Sequence, residues 1–192
     1  MKINEIFYSI QGEGYWSGSP AVFIRFSGCN LFCPFCDTKH WIGRKMSAEE
    51  VLQELGKYPC RFVVLTGGEP SLQVKEDFIS LLHQHDYYVA CETNGTRELP
   101  SGIDWITLSP KDLFCKDAEV IIDDYDEVKV VFDGKHDVSK YEDYEATELF
   151  LQPCDTGNKE ENEEIISQLI DYVKEHPQWR ISLQTQKILN VR

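Results

Sequence analysis

The sequence predicts an α/β fold in the form of a partial β/α barrel, because strand-like and helix-like segments alternate along much of the chain. Most strand-like runs are continuously apolar, as at residues 63–65, which is typical of parallel strands covered on both faces. A chain of 192 residues is short for a complete TIM barrel, which takes about 250 residues. We therefore expect one domain, residues 1–192, with an incomplete TIM-like barrel. An open doubly wound sheet is the alternative.

Strand and helix signals divide the chain into eleven elements. The predicted strands are residues 3–10, 21–27, 61–66, 87–92, 105–109, 127–132, 148–152 and 180–184. The predicted helices are residues 47–57, which open on the capping box Ser47-Ala48-Glu49-Glu50, and residues 74–85 and 158–175. In the third helix we expect a buried side made of Ile165, Ile166, Leu169, Ile170 and Val173.

The charge of the chain restricts its partners. There are 33 acidic and 19 basic residues, a net charge of −14, which opposes the contacts that bind nucleic acids and anionic membranes. No apolar run approaches the roughly 20 residues that span a bilayer, and no secretion signal is visible. We expect a cytoplasmic protein that acts on a small molecule, with neither nucleic acid nor membrane as partner.

Polar stretches follow several predicted strands. Since the carboxyl ends of parallel strands meet at one rim of a barrel, we expect these stretches to form one site there. They are Gln11-Gly12-Glu13-Gly14, the cysteine loop after the second strand, Thr66-Gly67-Gly68-Glu69-Pro70, Glu92-Thr93-Asn94-Gly95 and Ser109-Pro110-Lys111.

Three of the seven cysteines lie in the cysteine loop, where Cys29, Cys33 and Cys36 form the pattern C-x3-C-x2-C. Thiolates are the ligands of iron–sulfur clusters, and three of them leave one iron of a [4Fe–4S] cube without a protein ligand. That iron can bind a cofactor. The four scattered cysteines are interpreted as small core residues: Cys60, Cys91, Cys115 and Cys154.

Other uses of these thiols stay open at this point. Cys33 and Cys36 alone have the spacing of a glutaredoxin dithiol, although such a dithiol does not need Cys29. A structural zinc ion usually takes four ligands, and His40 is the candidate for the fourth. The three thiols as inert core residues are the remaining alternative.

Two motifs resemble those of a known family. The pattern C-x3-C-x-aromatic-C, with Phe35 as the aromatic residue, resembles the signature of the radical S-adenosylmethionine (SAM) enzymes. Gly67-Gly68-Glu69-Pro70 resembles their G-G-E-P element, although such a string alone is also an ordinary turn. The resemblance implies a [4Fe–4S] cluster whose open iron binds the amino and carboxylate groups of SAM.

Further motifs resemble one family of these enzymes, the 7-carboxy-7-deazaguanine synthases of the 7-deazapurine (queuosine) pathway. The resemblance covers nearly the whole chain and rests on residues 5–14, Arg25, residues 36–38, 92–95, 109–111 and 151–153. It implies that 6-carboxy-5,6,7,8-tetrahydropterin is contracted to 7-carboxy-7-deazaguanine with loss of ammonia, through a 5′-deoxyadenosyl radical that takes hydrogen from the pterin C6. It also implies Mg²⁺, a homodimer and a one-electron donor such as a flavodoxin.

The resemblance assigns roles to residues of this chain. Cys29, Cys33 and Cys36 would hold the cluster and, with Arg25, act in catalysis, while Thr38 would bind Mg²⁺, which prefers oxygen ligands. The implied substrate contacts are Ile10, Gln11, Gly12, Glu13, Arg25, Thr66, Gln152 and Pro153. The implied SAM contacts are Phe35, Cys36, Asp37, Gly68, Glu69, Ser109, Pro110 and Lys111.

Several of these residues have simpler interpretations. Arg25 lies in an apolar strand and needs an anion, which is either the substrate or an acidic side chain of the protein. Lys111 is otherwise a surface lysine, and the Q-G-E-G string a turn. The resembling family often has histidine where this chain has Gln186, so Gln186 is left out of the predicted site. The alternative function is a radical SAM activase that makes a glycyl radical on a partner protein.

Overall fold

The computed structural model describes all 192 residues, and its nine strands form one sheet. The strands are β1 Lys2–Ile10, β2 Pro20–Phe26, β3 Arg44–Lys45, β4 Phe62–Gly67, β5 Tyr88–Thr93, β6 Trp105–Leu108, β7 Glu127–Phe132, β8 Glu148–Pro153 and β9 Arg180–Ile181. The helices are α1 Ala48–Leu55, α2 Glu76–His83, α3 Lys159–Glu175 and α4 Thr185–Leu189, and short 3₁₀ turns lie at Pro70–Leu72 and Ser139–Tyr141.

The order of strands across the sheet is β3-β1-β2-β4-β5-β6-β7-β8-β9. Neighbours from β2 to β9 are parallel, whereas β1 is antiparallel to both β2 and β3. The parallel strands are joined by crossovers, and the sheet is open rather than closed. The predicted α/β fold with a partial TIM-like barrel is confirmed.

The direction of β1 corrects one expectation. Ile10, at the end of β1, pairs with Pro20 at the beginning of β2. The Gln11–Gly14 stretch therefore lies at the opposite rim from the cysteine loop, and not beside it as the sequence predicts. The reason is the connection itself, because residues 11–19 are fewer than the dozen or so that a crossover between parallel strands requires.

Local signals place the beginnings of two helices correctly. Ser47 Oγ accepts a hydrogen bond from Glu50 N at 3.2 Å, and the Glu50 carboxylate accepts one from Ser47 N at 2.7 Å, so the capping box of α1 is complete. Asn158 caps α3 by accepting from Glu161 N at 3.1 Å. None of the four helices combines the length and apolar character needed to cross a bilayer.

Two predicted elements differ from the structure. In α3, Ile165 and Leu169 are buried, but Ile166 and Ile170 are each 38% exposed, because the helix contacts the sheet along a narrow i, i+4 stripe. The predicted strand 180–184 ends at Ile181, and residues 182–184 lead into α4, which the sequence signals do not reveal.

The side chains of the parallel strands alternate between two environments. On β2, Val22, Ile24 and Phe26 face α1 and α2 in the main core, whereas Phe23 belongs to a small cluster on the inner face. Arg25 follows on that inner face and lines a cavity. We call the space inside the partial barrel the lumen, and both apolar side chains such as Phe23 and polar ones such as Glu13 line it.

Candidate active site

One cavity of about 610 Å³ brings the predicted site together. It extends from the cysteine loop through the lumen to the loop that follows β1. Every residue of the predicted site lines it except Pro110, which is buried behind it. The residues concerned are Ile10, Gln11, Gly12, Glu13, Arg25, Cys29, Cys33, Phe35, Cys36, Asp37, Thr38, Thr66, Gly68, Glu69, Ser109, Lys111, Gln152 and Pro153.

The three clustered cysteines open onto this cavity from the loop between β2 and β3. All three thiols are free, and none is fully buried. No three His, Cys, Asp or Glu side chains converge closely enough to hold a single metal ion. Three thiols around one cavity fit the donor set of an iron–sulfur cluster.

The dithiol alternative fits poorly with the environment of Cys33. A reactive dithiol has a thiol of lowered pKa, usually at the beginning of a helix. Residues 31–42 contain no helix, and burial together with the neighbouring Cys115 thiol raises the pKa of Cys33 to about 12. An unligated Cys33 is therefore a poor nucleophile.

Cys115 differs from the expectation that it is a small core residue. Cys91 and Cys154 are buried as predicted, but Cys115 is only half-buried and its Sγ lies 3.6 Å from Cys33 Sγ. Cys60 is also half-buried and lies against the Pro20 carbonyl at 3.2 Å. The loop after β6 thus contacts the cysteine loop through the Cys115 thiol.

The G-G-E-P turn packs directly against the cysteine loop. Glu69 N donates to the Gly28 carbonyl at 2.8 Å, and a Cβ on Gly68 would lie 1.8 Å from the Gly28 oxygen. Glu69 is 1% exposed, and its carboxylate accepts hydrogen bonds from Ser71 N, Thr93 Oγ1 and Asn94 N at 2.8–3.0 Å. The G-G-E-P motif therefore places its backbone groups at the rim of the cavity. The Glu69 carboxylate is already hydrogen-bonded within the protein.

The residues after β6 form a compact polar group. Lys111 Nζ donates to both the carbonyl and the hydroxyl oxygen of Ser109 at 2.6 Å, and burial lowers the pKa of Lys111. Lys111 is thus not a free surface lysine. Phe35 packs edge-on against Phe114 at 4.9 Å and presents an aromatic side chain to the same part of the cavity.

Arg25 has an anionic partner within the protein. Its Nε lies 2.9 Å from Glu5 Oε1, while its terminal nitrogen donates to Thr38 Oγ1 at 3.2 Å. The alternative of an internal salt bridge is therefore realised, although Arg25 also lines the cavity. Thr38 Oγ1 lies 3.4 Å from Asp37 Oδ1. These two side chains offer hard oxygen atoms, and Mg²⁺ would need further oxygens from substrate or water.

The lumen contains an ion-pair network. Lys129 Nζ lies 2.7 Å from Glu13 Oε2 and 3.5 Å from Glu92 Oε1. Burial raises the pKa of Glu13, but the Lys129 ammonium and hydrogen bonds from Lys129, Gln184 and Gln186 outweigh it and lower the pKa to about 2. For Lys129, burial lowers the pKa and the surrounding carboxylates raise it above its ordinary value. Both groups are therefore charged.

Other polar side chains extend this network. Thr66 Oγ1 donates to Glu92 Oε2 at 2.6 Å, and Gln11 Nε2 donates to Glu92 Oε1 at 3.2 Å. Gln184 and Gln186 donate to Glu13 Oε1 at 2.8 and 3.1 Å. Carboxylates and amides held in this way can read the hydrogen-bond donors and acceptors of a heterocyclic ligand.

Two lining residues, Lys129 and Gln186, lie outside the predicted site, whereas Glu92 belongs to a predicted polar stretch to which no contact is assigned. Lys129 interrupts the apolar run of β7, which is the same signal that singled out Arg25 in β2. Gln186 lies outside the predicted site because the resembling family often has histidine at that position. The structure places it in the cavity, with a buried Oε1 atom that has no hydrogen-bond partner.

The fold and this site define the class of protein. Residues 23–143 match the family model of the radical SAM superfamily. The chain is 52% identical over 191 residues to the 7-carboxy-7-deazaguanine synthase of Bacteroides thetaiotaomicron, covering 100% of this chain and 98% of that protein. It is 39% identical over 214 residues to the synthase of Burkholderia multivorans, covering 98% of both.

A solved structure agrees with these relatives. The crystal structure of QueE from Escherichia coli matches with a TM-score of 0.76 and 28% identity, covering 95% of this chain and 92% of that one. This chain therefore belongs to the 7-carboxy-7-deazaguanine synthase family of the radical SAM superfamily.

Proposed function

We propose that this chain converts 6-carboxy-5,6,7,8-tetrahydropterin to 7-carboxy-7-deazaguanine with loss of ammonia, a carbon–nitrogen lyase reaction in queuosine biosynthesis. The observation that carries the proposal is the single cavity in which the three-cysteine loop opens onto the polar lumen. One end offers cluster ligands, and the other offers carboxylates and amides suited to a pterin. The related proteins are synthases, which favours this reaction over the activase alternative.

The cysteine end would hold the cofactors. Cys29, Cys33 and Cys36 would bind a [4Fe–4S] cluster, with SAM on the remaining iron. When bound, these groups supply a 5′-deoxyadenosyl radical that abstracts hydrogen from the substrate. The chain would position the cofactor through side chains and backbone around the rim: Phe35, Cys36, Asp37, Gly68, Glu69, Ser109, Pro110 and Lys111.

The lumen would hold the substrate. The carboxylates of Glu13 and Glu92 would accept hydrogen bonds from the ring nitrogens and the amino group of a pterin. Lys129 keeps Glu13 ionised and fixed, so that its carboxylate is oriented before the substrate arrives. The other proposed substrate contacts are Ile10, Gln11, Gly12, Thr66, Gln152 and Pro153.

Arg25 would contact the substrate carboxylate at the junction of the two ends. Because Glu5 already pairs with the Arg25 Nε, the terminal guanidinium nitrogens are the ones left to bind another anion. Thr38 accepts from one of them and would share Mg²⁺ with oxygen atoms of the substrate. This arrangement would orient the carboxylate toward both the cation and the guanidinium group.

We also propose that the chain is a single domain that acts in the cytoplasm as a homodimer, with a flavodoxin-like protein as its electron donor. The dimer follows from the family resemblance, and sedimentation of the reconstituted protein tests it. A single sedimenting species with the mass of one chain would contradict it.

The reaction is tested with anaerobically reconstituted protein. Dithionite, SAM, Mg²⁺ and the carboxytetrahydropterin should give the deazaguanine chromophore, and cluster loading should reach about four irons per chain. Cys29→Ala should lose both iron and turnover, whereas Cys91→Ala, which changes a core thiol, should keep both. SAM cleavage without any deazaguanine product would overturn the substrate assignment.

A further inference from the structure

Cys33 differs from the other clustered cysteines in the group that contacts its sulfur. Cys29 Sγ accepts a hydrogen bond from a backbone amide, that of Leu31, at 3.4 Å. Cys33 Sγ instead has a side-chain neighbour, since Cys115 Sγ lies 3.6 Å from it. No other side chain donates a hydrogen bond to any of the three clustered cysteine sulfurs. The contact of Cys115 with Cys33 is therefore the one that a substitution can remove without changing a ligand.

The loop after β6 holds the Cys115 thiol in place. Cys115 N donates to the Lys111 carbonyl at 2.8 Å, which closes a turn. Lys111 Nζ donates to Ser109, and the Ser109 hydroxyl donates to the Lys129 carbonyl of β7 at 3.0 Å. The thiol is thus connected to the parallel sheet through a short series of hydrogen bonds, which fixes its place beside Cys33.

A second contact joins the same two loops. Phe114, which precedes Cys115, packs edge-on against Phe35, with 4.9 Å between the ring centroids. Phe35 lies within the turn in which Cys36 N donates to the Cys33 carbonyl at 3.2 Å. Cys33 and Cys115 are both half-buried, and partial exclusion of water strengthens a hydrogen bond between them.

Iron binding would decide the direction of this hydrogen bond. Only a thiolate binds iron, so a ligated Cys33 has no proton and its sulfur can only accept. Cys115 lies outside the C-x3-C-x2-C pattern, and no metal ion displaces its proton. Its S–H is a weak donor, but a hydrogen bond to a charged acceptor is stronger than one to a neutral acceptor.

We propose that Cys115 is a positioning residue of the cluster site, whose thiol donates a hydrogen bond to the ligated Cys33 sulfur and raises the reduction potential of the cluster. This inference rests on the proposed function, because Cys33 carries a charged sulfur only when it holds the cluster. Hydrogen bonds to the sulfur atoms are among the factors that set the potential of an iron–sulfur cluster.

The direction of the effect follows from electrostatics. Reduction adds one electron, and hence one negative charge, to the cluster and its thiolates. A donor at a ligand sulfur stabilises the reduced state more than the oxidised state, so reduction becomes easier. The electron comes from an external low-potential reductant, no atom is transferred, and the Cys115 proton stays on its own sulfur.

The test measures the potential of the cluster and not turnover. Wild type, Cys115→Ala and Cys115→Ser are reconstituted anaerobically. The matched control is Cys60→Ala, which removes another half-buried thiol that does not line the cavity. Iron content and circular dichroism verify that each protein is loaded and folded. A titration with dithionite and redox mediators, followed by the electron paramagnetic resonance signal of the reduced cluster, gives the midpoint potential without SAM or pterin.

Cys115→Ala should lower the equilibrium constant for reduction about fivefold, the size expected for one modest hydrogen bond. At about 59 mV per tenfold change, the midpoint potential should fall by about 40 mV. Cys115→Ser keeps an O–H donor and should recover most of this loss, while Cys60→Ala should match the wild type. After exchange into deuterated water, pulsed electron paramagnetic resonance should detect a coupled deuteron in the wild type that is missing from Cys115→Ala.

Three results would overturn the proposal. Equal potentials in wild type and Cys115→Ala would show that the thiol does not act on the cluster, and equal shifts in the alanine and serine variants would assign the effect to packing. Loss of iron in Cys115→Ala as complete as in Cys33→Ala would make Cys115 a ligand. The titration needs no pterin, so a failed substrate assignment would leave it readable. A wild-type protein without iron would overturn the cluster assignment and this inference together.

Discussion

Lys129 Nζ lies 2.7 Å from Glu13 Oε2. This ion pair joins β7, in the middle of the parallel sheet, to the loop after β1, which enters the lumen from the rim opposite the cysteine loop. Both side chains are largely buried, at 7% and 15% exposure. The ion pair is therefore a structural link across the lumen as well as part of the proposed substrate site. Its two functions can be separated experimentally.

Removing Lys129 should destabilise the protein strongly. Lys129→Ala leaves the Glu13 and Glu92 carboxylates without their cation, and breaking a buried pair in this way costs about 3–5 kcal/mol. Urea denaturation of the variant and the wild type measures the difference. Lys135→Ala, which breaks a solvent-screened pair with Glu161 on the surface, should destabilise the protein far less. Similar losses in the two variants would contradict the buried network.

The contribution of Glu13 to stability should depend on pH. Since the pKa of Glu13 is lowered in the folded state, its stabilisation is fully present above the ordinary value of 4.5 and is lost as pH falls toward about 2. The difference in unfolding free energy between wild type and Glu13→Gln should therefore be constant from pH 7 to 5 and shrink below pH 4.5. Denaturation curves at several pH values measure it, and a difference independent of pH would refute the shift.

Gln186 should affect substrate binding more than folding. Its Nε2 donates to Glu13 Oε1 at 3.1 Å and so helps to orient the carboxylate that is proposed to bind the substrate. Gln186→Leu should raise KM for the pterin by roughly fivefold, the equivalent of about 1 kcal/mol for one hydrogen bond. Steady-state kinetics with dithionite separate KM from kcat. The control is Gln178→Leu, which changes an exposed glutamine. An unchanged KM in Gln186→Leu would show that Gln186 does not support substrate binding.

Gly68 should tolerate no side chain. A Cβ at this position would lie 1.8 Å from the carbonyl oxygen of Gly28, so Gly68→Ala forces the G-G-E-P turn away from the cysteine loop. We expect iron content after reconstitution to fall well below that of the wild type. Gly56→Ala is the control, because its Cβ would meet no atom closer than 3.6 Å. Full iron loading in Gly68→Ala would show that cluster binding does not require the close contact between Gly68 and Gly28.

Most of the fold could be predicted because its signals are local. Continuous apolar runs identify the parallel strands, and the Ser47 capping box and Asn158 identify helix beginnings. The direction of β1 carries no such signal in its side-chain pattern, since an apolar strand has the same periodicity in either direction. The length of the connection after Ile10 is the observation that decides it.

The residues at the rim of the site could be predicted from the sequence more fully than the residues in the lumen. Cys29, Cys33 and Cys36 are recognisable by spacing, whereas the Glu13–Lys129 pair joins residues 116 positions apart. Such a pair depends on how the strands are arranged and not on neighbouring residues. A lone lysine in an apolar strand is the only trace that it leaves in the sequence.

The hydrogen bonds from Gln184 and Gln186 to Glu13 span 171 and 173 positions of the chain. During synthesis, the cysteine loop and most of the parallel sheet leave the ribosome well before these two glutamines. The end of the lumen at Gln11–Gly14 is therefore completed last. The network around Glu13 becomes complete only when residues 184–186 have been added.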